Sequence, residues 1–344
     1  MTSRLPEALF QPGRLRLARE LTSTSQADLK QVTGLSAAAI SQFESGATRP
    51  SGKAVEQLSE ALDTPVDFFY RSMTDTHEGF FRSLRRTSVI DRRRARAFAH
   101  LVHDLAASDT AGVLAQLDIP NIPVTDLDAR SDVVAQAARS VRKAWGLQHG
   151  PIDNVVRLLE DHGVVVIRLP LASADVDAFS LPFDDRPVVV LGSDKNDRAR
   201  SRFDAAHELG HLVMHGHQVW GVKEVEQQAH AFAAEFLMPA TDIRGQLPTR
   251  ADWPTLFKLK QYWQVSLAAL LMRAKTLGVM DDAAYLTGVK AASARGWRRT
   301  EPVPLGSPEA PERTDRLRNT KAGRCAADWL PASFLDHLAE ATSV

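Results

Sequence analysis

The sequence predicts an α+β protein in which a small sheet lies between helical parts. Three observations predict it. Residues 1–75 hold short apolar-periodic stretches, several opened by Ser and closed near Gly. The runs 164–169, 176–181 and 187–191 are short, apolar and rich in β-branched residues, as buried strands are. From residue 198 onward, apolar residues recur at helical spacing. With 344 residues, the chain has room for two domains and a connecting segment.

Leu15, Leu17, Ala18 and Leu21 mark a first helix. Ser25 caps a second, Ser25 to Val32, with Asp28 three positions on as its capping-box partner. Thr33-Gly34-Leu35 makes a tight turn, and Ser36 caps a third helix, Ala37 to Glu44. Arg49-Pro50-Ser51 opens a fourth, with Val55, Leu58, Ala61 and Leu62 inward. Helix, glycine turn, helix is the helix-turn-helix arrangement.

Ser25-Gln26-x-x-Leu29, Gly34-Leu35-Ser36, Ile40-Ser41-x-Phe43-Glu44-x-Gly46 and Arg49-Pro50-Ser51 resemble an XRE/Cro-type DNA-binding domain. The resemblance implies that the third helix enters the major groove. Ser36, Ala37, Ala38, Ser41 and Gln42 would face the bases, while Gln26 and Arg49 touch phosphate or flank the bases. The alanines offer only methyl contact with thymine, and Gln42 alone of the five pairs well with adenine. Binding through so few readers would be weak per monomer and depend on a homodimer; otherwise the domain recognises protein.

Residues 76–148 read as a helical connector. The stretch 82–96 carries Arg82, Arg85, Arg86, Arg92, Arg93, Arg94 and Arg96. It suits a solvated helix face, a phosphate-contacting strip or a docking segment. His100 to Leu117 continues as an amphipathic helix, Ile119 to Pro123 breaks it, and Ser131 to Trp145 is helical again. Ile152 to Glu160 is a further helix, ended by Gly163 ahead of the first strand.

The most informative stretch is His207-Glu208-Leu209-Gly210-His211. Positions four apart lie nearly above one another on a helix, so His207 and His211 present two imidazoles to one point, as a tetrahedral Zn²⁺ requires. Glu208, about 100° around, sits beside such an ion, where it takes a proton from water. Phe203, Ala206, Leu209, Gly210, Val213 and Met214 make the helix apolar, and burying two imidazoles and a carboxylate without partners is costly. Gly210 costs about 1 kcal/mol against Ala within a helix, which points to a close approach there.

A catalytic zinc needs a third protein ligand. On the next helix, Glu226, Ala229, Ala233 and Phe236 share a face whose alanines allow close packing. Glu226 is favoured. His230, one turn on, is a rival. So is His217, which falls at the last position of a HExxHxxGxxH pattern, although Met214 stands where that pattern has Gly. Glu224 faces elsewhere and Glu235 comes late.

Arg-x-Arg-Phe-x-x-Ala-His-Glu-Leu-Gly-His, then Glu226-x-x-Ala229-x-x-Phe232-Ala233-Ala234-Glu235-Phe236-Leu237-Met238-Pro239, resemble the ImmA/IrrE family of zinc metallopeptidases. That family usually has Asn where this chain has His230. The resemblance implies a zincin-like, gluzincin-type domain over 149–300 with a small sheet beside the HExxH helix. It implies His207, His211 and Glu226 as zinc ligands, Glu208 as general base, and a transcriptional repressor as the substrate. An edge strand would pair with the substrate peptide. Arg198, Arg200 and Arg202 are expected to hold the helix through ion pairs. Tyr262 is a candidate oxyanion donor, although a Tyr beside Trp263 is more often a packing residue.

Residues 301–344, rich in Pro, Glu and Arg, are expected to form a loosely held tail, with Trp329, Leu330, Phe334 and Leu338 marking a docking helix. The formal net charge of zero excludes a globally basic protein but not a local basic patch. The one cysteine, Cys325, excludes an intrachain disulfide and fits a reducing cytoplasm. Met1 to Pro12 lacks the apolar core of a signal peptide, and no apolar run reaches the roughly 18–20 residues of a membrane span. The expectation is a cytoplasmic zinc metalloendopeptidase fused to a DNA-binding domain. The alternative is a DNA-binding regulator whose peptidase-like domain senses a metal or ligand without proteolysis.

Overall fold

The structure, a computed structural model, describes residues 9–74, 88–171, 177–216, 222–326 and 328–341. Four helices open it: α1 (Pro12–Leu21), α2 (Gln26–Thr33), α3 (Ala37–Ser45) and α4 (Gly52–Ala61), followed by a 3-10 turn at Val66–Tyr70. The capping box forms as its residues predict. Ser25 accepts from the Asp28 amide, Asp28 answers the Ser25 amide at 3.0 Å, and Ser36 and Ser51 cap α3 and α4. Leu15, Leu29, Ile40, Val55, Leu58 and Phe68 fill the centre of this unit.

Helix α5 (Val89–Ala107) packs against α1. Arg14 of α1, 1% exposed, reaches the Asp104 carboxylate of α5 and the carbonyls of Arg71 and Ser72. A buried guanidinium satisfied on several sides fixes α5 against the first four helices. The amphipathic helix expected to run to Leu117 stops at Ala107. There Asp109 turns the chain by accepting the amides of Ala111 and Leu114, and Gly112 adopts a φ of 66°.

After α6 (Ser131–Ala144) and α7 (Val155–Asp161) come β1 (Val165–Leu169), β2 (Ala178–Leu181) and β3 (Val188–Gly192). The strand order is β1-β3-β2, with β1 parallel and β2 antiparallel to β3, so β2 is an edge strand. Gly163, with a φ of 85°, turns α7 into β1 where a Cβ would lie 2.5 Å from the Leu117 backbone. Both faces of the sheet are buried, and residues alternate between two cores. Val165, Ile167, Phe179, Leu181, Val188 and Val190 join the core of the first five helices. Val166, Ala178, Val189 and Leu191 join the core beneath α8 (Arg198–Met214), α9 (Lys223–Leu237) and the helices that follow.

Those are α10 (Ala240–Ile243), α11 (Trp253–Trp263), α12 (Leu267–Thr276) and α13 (Asp282–Ala294). The tail then folds into α14 (Arg313–Arg318), α15 (Lys321–Ala326) and α16 (Ala332–Ala341). It is not loosely held. Leu317, Leu330, Phe334 and Leu338 are each 1% exposed or less and cover the sheet face that the first core shares. Phe334 meets Phe98 at 4.8 Å, and the Arg71 guanidinium lies 3.9 Å over the Trp329 ring. No described helix is long and apolar enough to cross a membrane.

His100 lies on α5 where these layers meet, edge-on to Phe183 at 5.1 Å. Burial, with Arg96, His103 and Arg14 nearby, pushes its pKa down from 6.5 to about 3. The unfolded chain takes up this proton near pH 6.5, whereas the folded chain refuses it until far lower. Stability is therefore full above pH 6.5 and declines as pH falls, by about 2 kcal/mol at pH 5. We expect thermal unfolding at pH 7 and pH 5 to show a smaller drop in Tm for His100→Phe than for the native chain. Equal drops would contradict it.

Candidate metal centre and nucleic-acid interface

Helix α8 starts at Asp197, whose side chain accepts the Arg200 amide. Its three arginines act structurally, as expected. Arg202, 1% exposed, pairs with Glu309 and bonds the carbonyls of Asp153 and Ile152; Arg198 also faces Glu309, at 3.6 Å, and Arg200 bonds Asp177 at 2.8 Å. Glu309, from the tail, also accepts the amides of Val155 and Val156 at the start of α7.

Gly210 admits the close approach its position implied. A Cβ there would lie 3.0 Å from the Phe232 ring. Helix α9 thus packs tightly on α8, with Ala229 and Ala233 fully buried, and carries Glu226 to the histidines. His207 Nε2 and His211 Nε2 are 3.0 Å apart. Glu226 oxygens lie 3.4 Å from His207 Nε2 and 3.8 Å from His211 Nε2. Ligands held at 2.0–2.1 Å by one tetrahedral ion stand roughly 3.3 Å apart, so this trio fits a divalent metal. These are the residues whose donor atoms converge among the described residues.

Glu208 is 4% exposed and accepts a 2.6 Å hydrogen bond from Ser180 of β2. Burial pushes its pKa up to about 7, against the opposing pull of His207 and Ser180. Sequence reasoning missed Ser180; a hydroxyl inside an apolar strand was the available signal.

The rivals fall out differently. His230 is exposed, bonds the Glu226 carbonyl through Nδ1 at 2.8 Å, and sets its ring edge-on 4.5 Å from that of His207. It borders the trio. His217 lies outside the described residues. Glu235 is committed elsewhere, to Arg139 at 3.0 Å and to Arg273. Tyr262 is 54% exposed and packs edge-on against Trp263.

Behind His211 runs a chain of hydrogen bonds that fixes its tautomer. Gln228 places its amide nitrogen 2.9 Å from the Asp126 carbonyl and 3.2 Å from that of Leu127. Carbonyls only accept, so the amide oxygen must face His215 Nε2, at 2.9 Å, and that nitrogen carries a hydrogen. Burial disfavours the charged form of His215 and of His211. His215 Nδ1 is then a bare acceptor, and His211 donates to it from Nδ1 at 3.1 Å. His211 Nε2 is left with its lone pair turned toward His207 and Glu226. His215 stacks near the site without ligating, as its spacing suggested; Gln228 gave no sequence signal.

In the first helices, Ser36, Ala37, Ala38, Ser41, Gln42 and Arg49 are all exposed, so α3 presents its groove-facing candidates to solvent. Gln26 is half-buried and donates to Glu44 at 2.8 Å; Glu44 is held in turn by Arg19 at 3.0 Å. Gln26 thus also braces α2 against α3.

The tautomer chain makes a prediction that needs no metal. ¹⁵N NMR of the metal-free protein should show His211 protonated at Nδ1, with that bias lost in Gln228→Leu. An unchanged spectrum in the variant would refute the chain.

Two family models match. A helix-turn-helix model covers residues 15–69, and the IrrE N-terminal-like domain of peptidase M78 covers residues 159–275. No curated protein matches the chain. The second match spans Ser180, His207, Glu208, His211, Glu226 and Gln228, and the first contains α3. The chain is therefore similar to a helix-turn-helix domain over residues 15–69 and to the IrrE N-terminal-like domain of peptidase M78 over residues 159–275.

Proposed function

We propose that this chain is a zinc-dependent metalloendopeptidase that regulates transcription by cleaving a repressor protein, and that its helix-turn-helix domain binds DNA. The observation that carries the reading is the convergence of His207, His211 and Glu226 on one point, with the Glu208 carboxylate buried beside them. A structural metal has no use for Glu208.

In this reading His207, His211 and Glu226 hold the zinc, and Glu208 is the general base. Bound zinc would lower the pKa of water and polarise the scissile carbonyl. Glu208 takes the proton from the attacking water and returns it to the leaving amide nitrogen. Ser180 holds the carboxylate in place through one oxygen, leaving the other for the proton. The edge of β2, which carries Ser180, aligns the substrate peptide through main-chain hydrogen bonds. Gln42 and Arg49 contact DNA from the exposed face of α3 and the loop after it, and a homodimer would multiply that limited contact. The single cysteine suits a cytoplasmic site of action.

Metal content by mass spectrometry tests the ligand set. Native protein should carry about one zinc per chain, and Glu226→Ala should lose it. Full retention in the variant would move the third ligand to His230 or His217. No transition metal in either protein, even after zinc is supplied, would leave a DNA-binding regulator without proteolysis as the better account.

A further inference from the structure

A cleft of about 720 Å³ opens between α1, the start of α2 and the N-terminal half of α5. Its described lining includes five arginines, Arg16, Arg19, Arg92, Arg93 and Arg96 among them, against the two glutamates Glu20 and Glu44. Arg19 and Glu44 neutralise each other in a direct pair. Glu20 stands 3.8 Å from Arg96 and 3.9 Å from Arg93, too far to hold either by a hydrogen bond. The cleft keeps a clear positive excess.

We propose that the DNA-binding surface continues from the helix-turn-helix domain onto α5, with Arg16, Arg92, Arg93 and Arg96 contacting backbone phosphates beyond the bases that α3 faces. The proposal rests on the DNA-binding reading above and extends it to a helix outside the matched domain, which ends at residue 69.

Three observations support this partner. First, the cleft wall includes Ser25 and Gln26, the start of α2. In a helix-turn-helix this helix crosses the backbone, which places the cleft beside phosphate. Second, the arginines lie along the cleft and not at one point. Arg92 and Arg96 are about 6 Å apart along the axis of α5, and Arg16 stands across from them on α1. Such a row suits successive phosphates. The Arg93 side chain is 56% exposed and Arg16 is exposed. Third, α5 is not free to swing away. The buried Arg14–Asp104 pair fixes its C-terminal end, and His103 stacks on Phe183 at 3.8 Å while bonding Asp185 at 2.9 Å. The same helix therefore packs on the sheet that carries Ser180.

The test uses full-length protein and a labelled mixed-sequence duplex of roughly 30 base pairs, about three helical turns. Affinity is measured by fluorescence anisotropy across a salt series. Arg92→Ala combined with Arg93→Ala should weaken binding on any sequence. It should also reduce the slope of log K against log salt by about 2, near 0.9 for each phosphate released. Gln42→Ala, which removes a base reader, should leave that slope unchanged. Native binding with an unchanged slope in the double variant overturns the proposal and assigns the arginines to a small anion or to solvent. No duplex binding by native protein at low salt would instead overturn the DNA reading on which it rests.

Discussion

Two imidazoles and two carboxylates meet in one partly buried corner of this protein, with Glu208 and His211 innermost, and the surrounding packing serves to keep them there. Without a cation, such a set carries a large desolvation cost and gains little from its own hydrogen bonds. A missing Cβ helps set the geometry. Gly210 lets Phe232 come to the surface of α8, and α9 in that position brings Glu226 to His207 and His211. A helix weakened by about 1 kcal/mol at Gly is thus compensated by a tight α8–α9 contact.

Helix α8 is held from both ends. At its start, Arg202 and Arg198 face Glu309, which also accepts amides at the start of α7, so the tail ties α8 to α7. At its far end, His211, His215 and Gln228 form a line of hydrogen bonds ending on the carbonyls of residues 126 and 127. Strand β2 completes the frame by placing Ser180 against Glu208. Among the described residues the sheet is three strands wide, and both faces are buried, one by α8 and one by α5 with the tail.

The parts legible in the sequence were those with short-range signals. Ser25, Gly34 and Ser36 mark helix boundaries by local hydrogen bonding and left-handed turns, and these positions cap as expected. The four-residue spacing of His207 and His211 and the alanine face bearing Glu226 likewise follow from helical geometry alone. Gln228 and Glu309 were not legible because their partners are 13 and 107 residues away, or further, and nothing local requires them; Ser180, 28 residues from Glu208, showed only as a hydroxyl inside an apolar strand. The tail misled for a related reason. Its polar composition suggests little to bury, but Leu330, Phe334 and Leu338 complete a sheet face that residue order does not reveal. The end of α5 was overrun because an apolar pattern continues past the point where Asp109 captures the backbone.

Proteolysis by this chain requires Glu208 to act as a base and not as a buried structural carboxylate. The direct measurement is a comparison of protein N-termini, by mass spectrometry, in cells producing the native chain and in cells producing Glu208→Gln with equal metal content. The account predicts that native cells contain a new N-terminus within a transcriptional repressor, and that it is missing with the variant. Identical sets of N-termini in the two would contradict proteolysis.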